Sequence, residues 1–190
     1  NIYVSNANPG TSNVALPVNL DINDFNCVKD CIINLNISFV IVGPEIPLIN
    51  GIYDFITNDK LLSHVKVIGP SKIGSQLEGS KDFAKNFMNK YNIPTASYSS
   101  FDKSTLDQGI EFINNSNSPF VLKADGPAAG KGVIIVENKH EAIYYLKDML
   151  INSKFGKSSQ KVIIEEFLDG IEMSCFVLFD GINYKILPYA

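Results

Sequence analysis

The residues best suited to phosphate chemistry lie in one stretch, 123–132, which combines two lysines with three glycines and three alanines. Glycine lets the backbone approach a ligand closely, so that N–H groups can point at phosphate oxygens, and Lys131 adds a positive charge. The spacing is not that of a Walker A loop, because Gly126 and Gly130 enclose three residues and Gly132 follows the lysine. Since apolar segments flank the stretch, we predict a flap between two strands. The alternative is a plain hairpin connection, which would carry the entropic cost of its glycines.

Lys123 stands at the end of the apolar segment Phe120–Leu122. A lysine in such a strand must reach solvent or meet an anion. That anion is either a ligand or a carboxylate of the chain, such as Asp125 or a neighbour, and the local sequence leaves both possibilities open.

A second apolar segment, Val162–Ile164, ends in the sequence Glu165-Glu166-Phe167-Leu168, and Glu172 follows a turn. Extended backbone beside an aromatic ring and a leucine can offer polar groups to an adenine edge and apolar contact to its faces. Glu172 can accept hydrogen bonds from ribose hydroxyls. The alternative is an exposed strand end with solvated acids.

The first third of the chain predicts strands that alternate with helices. Apolar residues at helical spacing over 24–35, and a helix beginning at Pro47, separate the short apolar segments Ser38–Val42 and Val65–Ile68, interpreted as buried strands. Strands separated by helices imply parallel pairing with right-handed crossovers. Ligands of such sheets bind at the carboxyl ends of the strands, where Gly43-Pro44 and Gly69-Pro70 fall.

The remainder predicts a helix capped by Ser80, and then strand, helix, strand, glycine loop, strand, helix, strand and strand. Ser104 and Asn138 are the expected caps of the two later helices. The last strand of this order spans Met173–Phe179, and a turn at Asp180-Gly181 leads from it into a further strand, Tyr184–Leu187. A boundary near Glu78 predicts two domains, over 1–77 and 78–190.

Composition excludes several classes of protein. The sixteen basic residues are all lysine, and with twenty carboxylates the formal charge is −4, which argues against nucleic-acid binding. No apolar segment approaches the ~20 residues of a membrane helix. The three cysteines are interpreted as small buried apolar residues in a reducing cytoplasm, where we expect the protein to act. Because the chain starts at Asn1 and ends in a strand-like pattern, we expect a piece of a longer protein.

Together these segments resemble the ATP-grasp fold, and the chain is similar almost end to end to the glycinamide ribonucleotide synthetase family. The resemblance rests on Val42–Gly51, Gly69–Lys72, Leu77–Lys81, Lys123–Gly126, Ala128–Gly132 and Ile164–Gly170, with Glu172 and Ser174. It implies an α/β fold, in which a parallel βαβ pre-ATP-grasp domain, incomplete at its start, precedes part of an ATP-grasp domain. That second domain is expected to be α+β, an antiparallel sheet with helices, with a small lid subdomain over about 97–167. Pro127 replaces the family's usual leucine, so we expect a stiffer loop.

The resemblance implies ATP-dependent ligation of glycine to 5-phosphoribosylamine through a glycyl phosphate, giving glycinamide ribonucleotide, ADP and phosphate in de novo purine biosynthesis. Mg²⁺ or Mn²⁺ is the implied metal, with its ligands beyond Ala190. The implied partners are small molecules, with no nucleic acid and no membrane, and the implied state is a monomer. Two alternatives stay open: another carboxylate–amine ligase of the same fold, or a nucleotide-binding module that is inactive as this piece.

The resemblance also implies roles for individual residues. Lys123 and Lys131 are the expected catalytic residues. The expected nucleotide contacts are Lys81, Lys123, Asp125, Gly126, Ala129, Gly130, Lys131, Gly132, Glu165, Glu166, Phe167, Leu168 and Glu172. The ribosylamine substrate is expected at Gly43, Pro44 and Glu45, with Gly10 and Thr11 facing the same pocket.

Overall fold

The computed structural model describes residues 1–128 and 130–189. The first part of the chain contains four short strands and four helices. These are β1 (Tyr3–Ser5), β2 (Leu16–Val18), α1 (Phe25–Asn34), β3 (Phe39–Ile41), α2 (Glu45–Asn50), α3 (Ile52–Asn58), β4 (Lys66–Ile68) and α4 (Gln76–Gly79). Strand β1 pairs in parallel with β2, and β3 pairs in parallel with β4. The predicted parallel pairing is confirmed.

Local sequence signals account for the helices of this part. The Asp24 side chain accepts hydrogen bonds from the amides of Asn26 and Cys27, which caps α1. Helix α2 starts at Glu45, two residues before the predicted start, because Pro47 is tolerated within a first helical turn. Gly51, with a left-handed φ of 98°, ends α2 and leads directly into α3.

The first hydrophobic core is built mainly by these helices. Its buried members are Val28, Ile32, Leu48, Ile52, Ile56, Leu62 and Val65. Strand β3 is less buried than predicted: Val40 packs against this core, whereas Phe39 and Ile41 are 49% and 68% exposed. Successive strand residues point to opposite faces, so only one face of β3 contributes to the core.

The described residues of the second part, 80–128 and 130–189, form three helices and six strands. These are α5 (Lys81–Lys90), β5 (Tyr98–Asp102), α6 (Leu106–Asn115), β6 (Phe120–Ala124), β7 (Val133–Val136), α7 (Lys139–Leu150), β8 (Lys161–Glu166), β9 (Val177–Phe179) and β10 (Tyr184–Ile186). Strands β5, β8, β6 and β7 form, in that order, one antiparallel sheet, and β9 and β10 form a separate hairpin. The predicted order of elements is confirmed.

The two faces of the four-stranded sheet carry different residues. One face packs against α6 and α7 through a core that includes Phe120, Leu122, Ala124, Val162 and Ile164. The opposite face carries the alternate residues of the same strands, which are Val121, Lys123, Ile163 and Glu165 on β6 and β8 and Tyr98 on β5. We call this second face the site face.

Three local predictions for the second part need correction. Asp102, not Ser104, accepts the capping hydrogen bonds ahead of α6, because its carboxylate reaches the amides of both Ser104 and Thr105. The strand predicted over Met173–Phe179 is only Val177–Phe179, although the turn at Asp180 is as predicted. Cys175 is exposed rather than buried, as is Cys27 on α1 in the first part.

None of the helices described over residues 1–128 and 130–189 is long and apolar enough to cross a membrane.

Candidate functional site

The sequence left two possible anionic partners for Lys123, a ligand or a carboxylate of the chain. In the structure its partner is a carboxylate of the chain. Its ammonium donates to Oε2 of Glu165 at 2.8 Å, diagonally across the β6–β8 pair. Glu165 is only 7% exposed, whereas the Lys123 side chain is 28% exposed. A buried carboxylate requires a positive partner, and Lys123, near the carboxyl end of β6, provides one.

A second lysine, which was missed at the sequence level, approaches the same carboxylate oxygen. The ammonium of Lys85 lies 3.3 Å from Oε2 of Glu165, and the Lys85 residue is 6% exposed. It also donates to Oγ1 of Thr95 at 2.8 Å and to the carbonyl oxygen of Ala96 at 3.1 Å, and it lies 5.4 Å from the Tyr98 ring centroid. We call Lys85, Glu165 and Lys123 the charge triad.

The sequence did contain a signal for Lys85. It follows Lys81 by four residues on α5, so both lysines lie on the same helix face. Lys85 also directly follows Ala84, which is a buried residue of the helix. A lysine adjacent to the apolar stripe of a short helix is a candidate for a buried ion pair once the facing strand is known.

Asp125, which follows β6, binds the beginning of α5. Its Oδ1 accepts from the Asp82 amide at 2.8 Å and from Oγ of Ser80 at 2.9 Å. Ser80 in turn caps α5 as predicted, by accepting from the amide of Phe83. Asp125 therefore fastens the helix to the end of the strand that carries Lys123.

The Asp125 carbonyl brings the other predicted phosphate lysine to the same place. It accepts from the Lys81 amide at 3.2 Å and lies 3.4 Å from the Lys81 ammonium. The segments that carry Lys81 and Lys123, which are 42 residues apart in sequence, are thus held side by side by the backbone and side chain of one residue.

A second ion pair links α5 to the sheet beside this contact. Asp82 accepts from the Lys161 ammonium at 2.5 Å and from Oγ of Ser100 at 2.5 Å. Burial raises the pKa of Asp82, but the hydrogen bonds from Lys161 and Ser100 outweigh burial and hold the pKa below its ordinary value of 3.8. The hydrogen bond to Asp82 raises the pKa of Lys161 above its ordinary value of 10.5.

The glycine stretch connects the antiparallel strands β6 and β7, as both the predicted flap and the alternative hairpin connection require. Its base is fixed, because the Ala124 amide donates to the Gly132 carbonyl at 2.8 Å and Ser158 Oγ donates to the Pro127 carbonyl at 2.6 Å. A Cβ on Gly126 would lie 2.9 Å from Ser158 Oγ, and one on Gly132 would lie 2.7 Å from Ala128 Cβ. These two glycines are required by close packing.

The middle of the loop is open. Gly130 has a left-handed φ of 76°, and a Cβ there would have no neighbour within 4 Å. Lys131 is exposed, and its amide donates to the Ala128 carbonyl at 2.9 Å. Ala129 lies outside the described residues. The loop thus has a packed base and an exposed lysine near its tip.

The predicted adenine-binding segment lies at the carboxyl end of β8, away from the glycine loop. Glu166 donates its amide to the Ser97 carbonyl at 3.0 Å and accepts from the Ser97 amide at 2.8 Å. The hydrogen bonds from Ser97 hold the pKa of the Glu166 carboxyl below its ordinary value of 4.5. Phe167, Leu168 and Glu172 follow the strand and are exposed.

Strand register fixes the spacing between the two ends of the site. Ala124, at the base of the glycine loop, pairs with Val162, whereas Phe120 pairs with Glu166. These ends are four residues apart, which corresponds to roughly 13 Å along a strand. An elongated ligand with an apolar ring system at one end and an anionic group at the other would match this spacing, with the charge triad between them.

Only some of the substrate residues predicted in the first part lie around one cavity. Gly43 and Glu45 line a cavity of about 350 Å³, and Pro44 precedes α2 next to it. Gly10 and Thr11 belong to the loop between β1 and β2, where Thr11 bonds to Asn8, and neither lines this cavity. Glu78, which was not singled out, is on its wall together with Leu48, Ile49, Pro70 and Ser75.

The part of the chain that the structure describes contains no group of three or more His, Cys, Asp or Glu side chains arranged to hold a metal ion.

The four-stranded sheet with its glycine loop, and the parallel elements before it, define an ATP-grasp architecture. A biotin carboxylase from Campylobacter jejuni, solved with a β,γ-ATP complex, superposes with a TM-score of 0.69 over 97% of this chain and 43% of that one, at 18% identity, which supports the fold alone. The solved phosphoribosylamine–glycine ligase of Thermotoga maritima has a TM-score of 0.75 and 29% identity, over 98% of this chain and 43% of that one.

Sequence comparison identifies the family. The profile of the phosphoribosylglycinamide synthetase N domain matches residues 1–78, and that of the ATP-grasp (A) domain of the same synthetase matches residues 79–190. A phosphoribosylamine–glycine ligase of Neisseria meningitidis serogroup B is 43% identical over 195 aligned residues, which cover all of this chain and 43% of that protein. The chain belongs to the phosphoribosylglycinamide synthetase family, and it spans less than half the length of the relatives it matches.

Proposed function

We propose that the protein to which this chain belongs ligates glycine to 5-phosphoribosylamine, with ATP converted to ADP and phosphate. The proposal rests on one observation above the others. Asp125 holds the segments of Lys81 and Lys123 together at the base of the glycine loop. This is one end of the paired strands β6 and β8, and the other end of the pair carries Glu166, followed by Phe167 and Leu168. Two cations beside a glycine loop suit a polyphosphate, and the distant apolar end suits a base.

The chain's own residues would act by position and charge. Lys81 and Lys123 would reduce the negative charge that opposes transfer of the terminal phosphoryl group to the glycine carboxylate. The loop with Lys131 at its tip would close over the phosphates and keep water away from the glycyl phosphate, which the ribosylamine nitrogen then attacks. No covalent attachment to the protein is needed in this scheme.

The cavity lined by Gly43 and Glu45 is the proposed place of the ribosylamine substrate. It lies in the loops that follow β3 and β4, the position that parallel sheets favour for ligands. Carboxylates at Glu45 and Glu78 suit hydroxyl and amine donors. Gly10 and Thr11 would contribute only if the loop between β1 and β2 moved towards this cavity, so their assignment stays a prediction.

The described residues offer no group of three or more His, Cys, Asp or Glu side chains that could hold a metal ion. We propose Mg²⁺ or Mn²⁺ for the whole protein, with its ligands outside this chain. We further propose that the division of the chain falls near Glu78 and that 97–167 acts as the lid subdomain. A monomer that acts in the cytoplasm stays a prediction.

The test is a ligase assay on the full-length protein, with release of ADP measured in the presence of ATP, glycine and 5-phosphoribosylamine. We expect release to require both of the other substrates, and Lys123→Ala to reduce turnover or nucleotide affinity at least tenfold, or about 1.4 kcal/mol. ADP release with a different amine acceptor, and none with phosphoribosylamine, would favour another carboxylate–amine ligase. Unchanged kinetics in Lys123→Ala would remove this lysine from the site.

The isolated chain provides a second measurement. We expect it to bind ATP weakly and to show negligible ligase turnover, because the proposed metal ligands lie outside it. Ligase turnover by the 190-residue chain alone would contradict this expectation.

A further inference from the structure

Lys85 is a buried cation to which the proposed reaction assigns no role. It lies on α5, and its side chain is 8% exposed. Three oxygen atoms surround its ammonium, from Glu165, Thr95 and Ala96, at 3.3, 2.8 and 3.1 Å. Such a set of partners fixes the ammonium in place, so it is not available to a ligand.

Lys123 is in the opposite situation. Its side chain is 28% exposed, and Glu165 is the one hydrogen-bond partner that the structure records for its ammonium among residues 1–128 and 130–189. Both lysines approach the same oxygen, Oε2 of Glu165. One carboxylate therefore serves two cations, of which one is fixed and the other is held at a single point.

Because the triad has two lysines for one carboxylate, Glu165 can stay paired when Lys123 moves away. If Glu165 had only Lys123 as its partner, a phosphate that attracted Lys123 would leave a buried carboxylate without a positive charge. Breaking a buried ion pair by removing one partner costs several kcal/mol. With Lys85 in place, Glu165 remains paired when Lys123 leaves, and the triad keeps one net positive charge for the ligand.

We propose that Lys85 is a positioning residue that acts through Glu165, by keeping this buried carboxylate paired so that Lys123 can turn to the phosphates of a bound nucleotide. The inference rests on the proposed function, because it requires that Lys123 contacts phosphate. It adds a residue whose effect on nucleotide affinity is exerted without contact with the nucleotide.

The experiment compares two ligands with the full-length protein to which this chain belongs. ATP and adenosine are titrated into that protein and followed by two-dimensional ¹H–¹⁵N NMR, which detects weak binding. Both ligands have the adenine and ribose groups, but only ATP has phosphates. A lysine that merely supports the fold should alter the two affinities together, whereas Lys85 in the proposed role should alter the affinity for ATP alone.

We expect Lys85→Met to weaken ATP binding roughly tenfold, because Lys123 is then the sole partner of Glu165, and to leave adenosine affinity within about twofold. Lys85→Arg, which keeps the charge, should bind ATP better than Lys85→Met. The double variant Lys85→Met/Glu165→Gln should recover most of the lost ratio of ATP to adenosine affinity, because no buried carboxylate then competes for Lys123.

Lys29→Met is the matched control. Lys29 forms an ion pair of 2.6 Å with Asp59 in the first part of the chain, with its side chain 25% exposed, and it contacts no residue of the triad. We expect its loss to leave both affinities unchanged. An equal effect of Lys29→Met and Lys85→Met on ATP would show that net charge, rather than the triad, is responsible.

Three results would overturn the proposal: unchanged ATP affinity in Lys85→Met, equal loss of ATP and adenosine affinity, or no recovery in the double variant. If Lys85→Met does not fold, the double variant decides alone, since it must retain nearly the wild-type ratio of affinities. A full-length wild-type protein that binds neither ligand would overturn the proposed function and this inference together. Wild-type binding of ATP without a selective effect of Lys85→Met would overturn only the inference.

Discussion

The two faces of the four-stranded sheet use the same strands for opposite purposes. On one face, Leu122 and Ile164 are fully or almost fully buried against α6 and α7. On the site face, the adjacent residues Lys123 and Glu165 form an ion pair and meet α5. Because alternation along a strand separates the faces, a change of one position along β6 moves from Leu122, which is buried in the core, to Lys123, which is proposed to bind the nucleotide.

The largest effect is expected on the apolar face. Leu122→Ala removes a side chain with no exposed surface and should lower the free energy of unfolding by about 2–5 kcal/mol. The measurement is urea denaturation followed by circular dichroism. Lys123→Met, one residue along, is the matched variant, and we expect it to change stability far less while reducing ATP affinity. Equal destabilisation by the two variants would contradict the division between the faces.

A smaller effect is expected where α5 is attached to the sheet. Asp125→Ala removes the acceptor of the Asp82 amide and the Ser80 hydroxyl and should cost about 1–2 kcal/mol of stability, as the loss of a helix cap does. ATP affinity should fall as well, because Lys81 loses its fixed position. Asp125→Asn keeps an acceptor oxygen and should restore most of both properties. If Asp125→Asn is as impaired as Asp125→Ala in ATP affinity alone, the carboxylate charge acts on the ligand directly.

The Asp82–Lys161 pair should contribute a pH-dependent term. Asp82→Asn is expected to cost about 1 kcal/mol near neutral pH, a modest value because Lys161 is partly exposed. The folded-state pKa of Asp82 lies below 3.8, so this stabilisation is present above pH 3.8 and is lost as the pH falls through the lower, folded value. The raised pKa of Lys161 places the loss on the alkaline side above pH 10.5.

Urea denaturation of both proteins over this pH range provides the measurement. We expect the difference in unfolding free energy between wild type and Asp82→Asn to narrow below pH 3.8. A difference that stays constant to lower pH would show that Asp82 stabilises the fold through contacts that the amide of Asn does not reproduce, rather than through its charge.

The smallest effect on stability is expected in the glycine loop. Gly130→Ala places a side chain at a left-handed φ of 76° with open space around it, and backbone strain alone should cost about 1 kcal/mol or less. Gly156→Ala, at a φ of 60° and equally open, is the matched control outside the loop. Only Gly130→Ala should weaken ATP binding, and the same loss of ATP affinity in both variants would contradict a role for the loop.

Much of the fold could be predicted because its signals are local. Asp24, Ser80 and Asn138 cap helices as side chains of their type commonly do, and the apolar segments give the order of strands. The prediction was wrong where two signals competed, as at Asp102 and Ser104 ahead of α6. It was also wrong where apolar residues were taken as buried, as at Phe39 and Cys175.

The site was harder to predict, because its contacts depend on register. The sequence offered Lys123 a ligand or a nearby carboxylate, and the choice of Glu165 follows only from the alignment of β6 with β8. Lys85 escaped notice since its partner lies 80 residues further along the chain. Asp125 was expected to touch the nucleotide, whereas its side chain bonds to Ser80 and Asp82; its nucleotide contact stays a prediction.

The attachment of α5 also determines to which part of the molecule Lys81 belongs. Helix α4 stays with the first part, since a Cβ on Gly79 would lie 3.2 Å from Ile49. Helix α5, which starts two residues later, is tied to the sheet by Asp125 and by the Asp82–Lys161 pair. The junction between these two attachments falls at Gly79–Ser80, so Lys81 lies on the same side of it as Lys123 and is fastened to the same sheet.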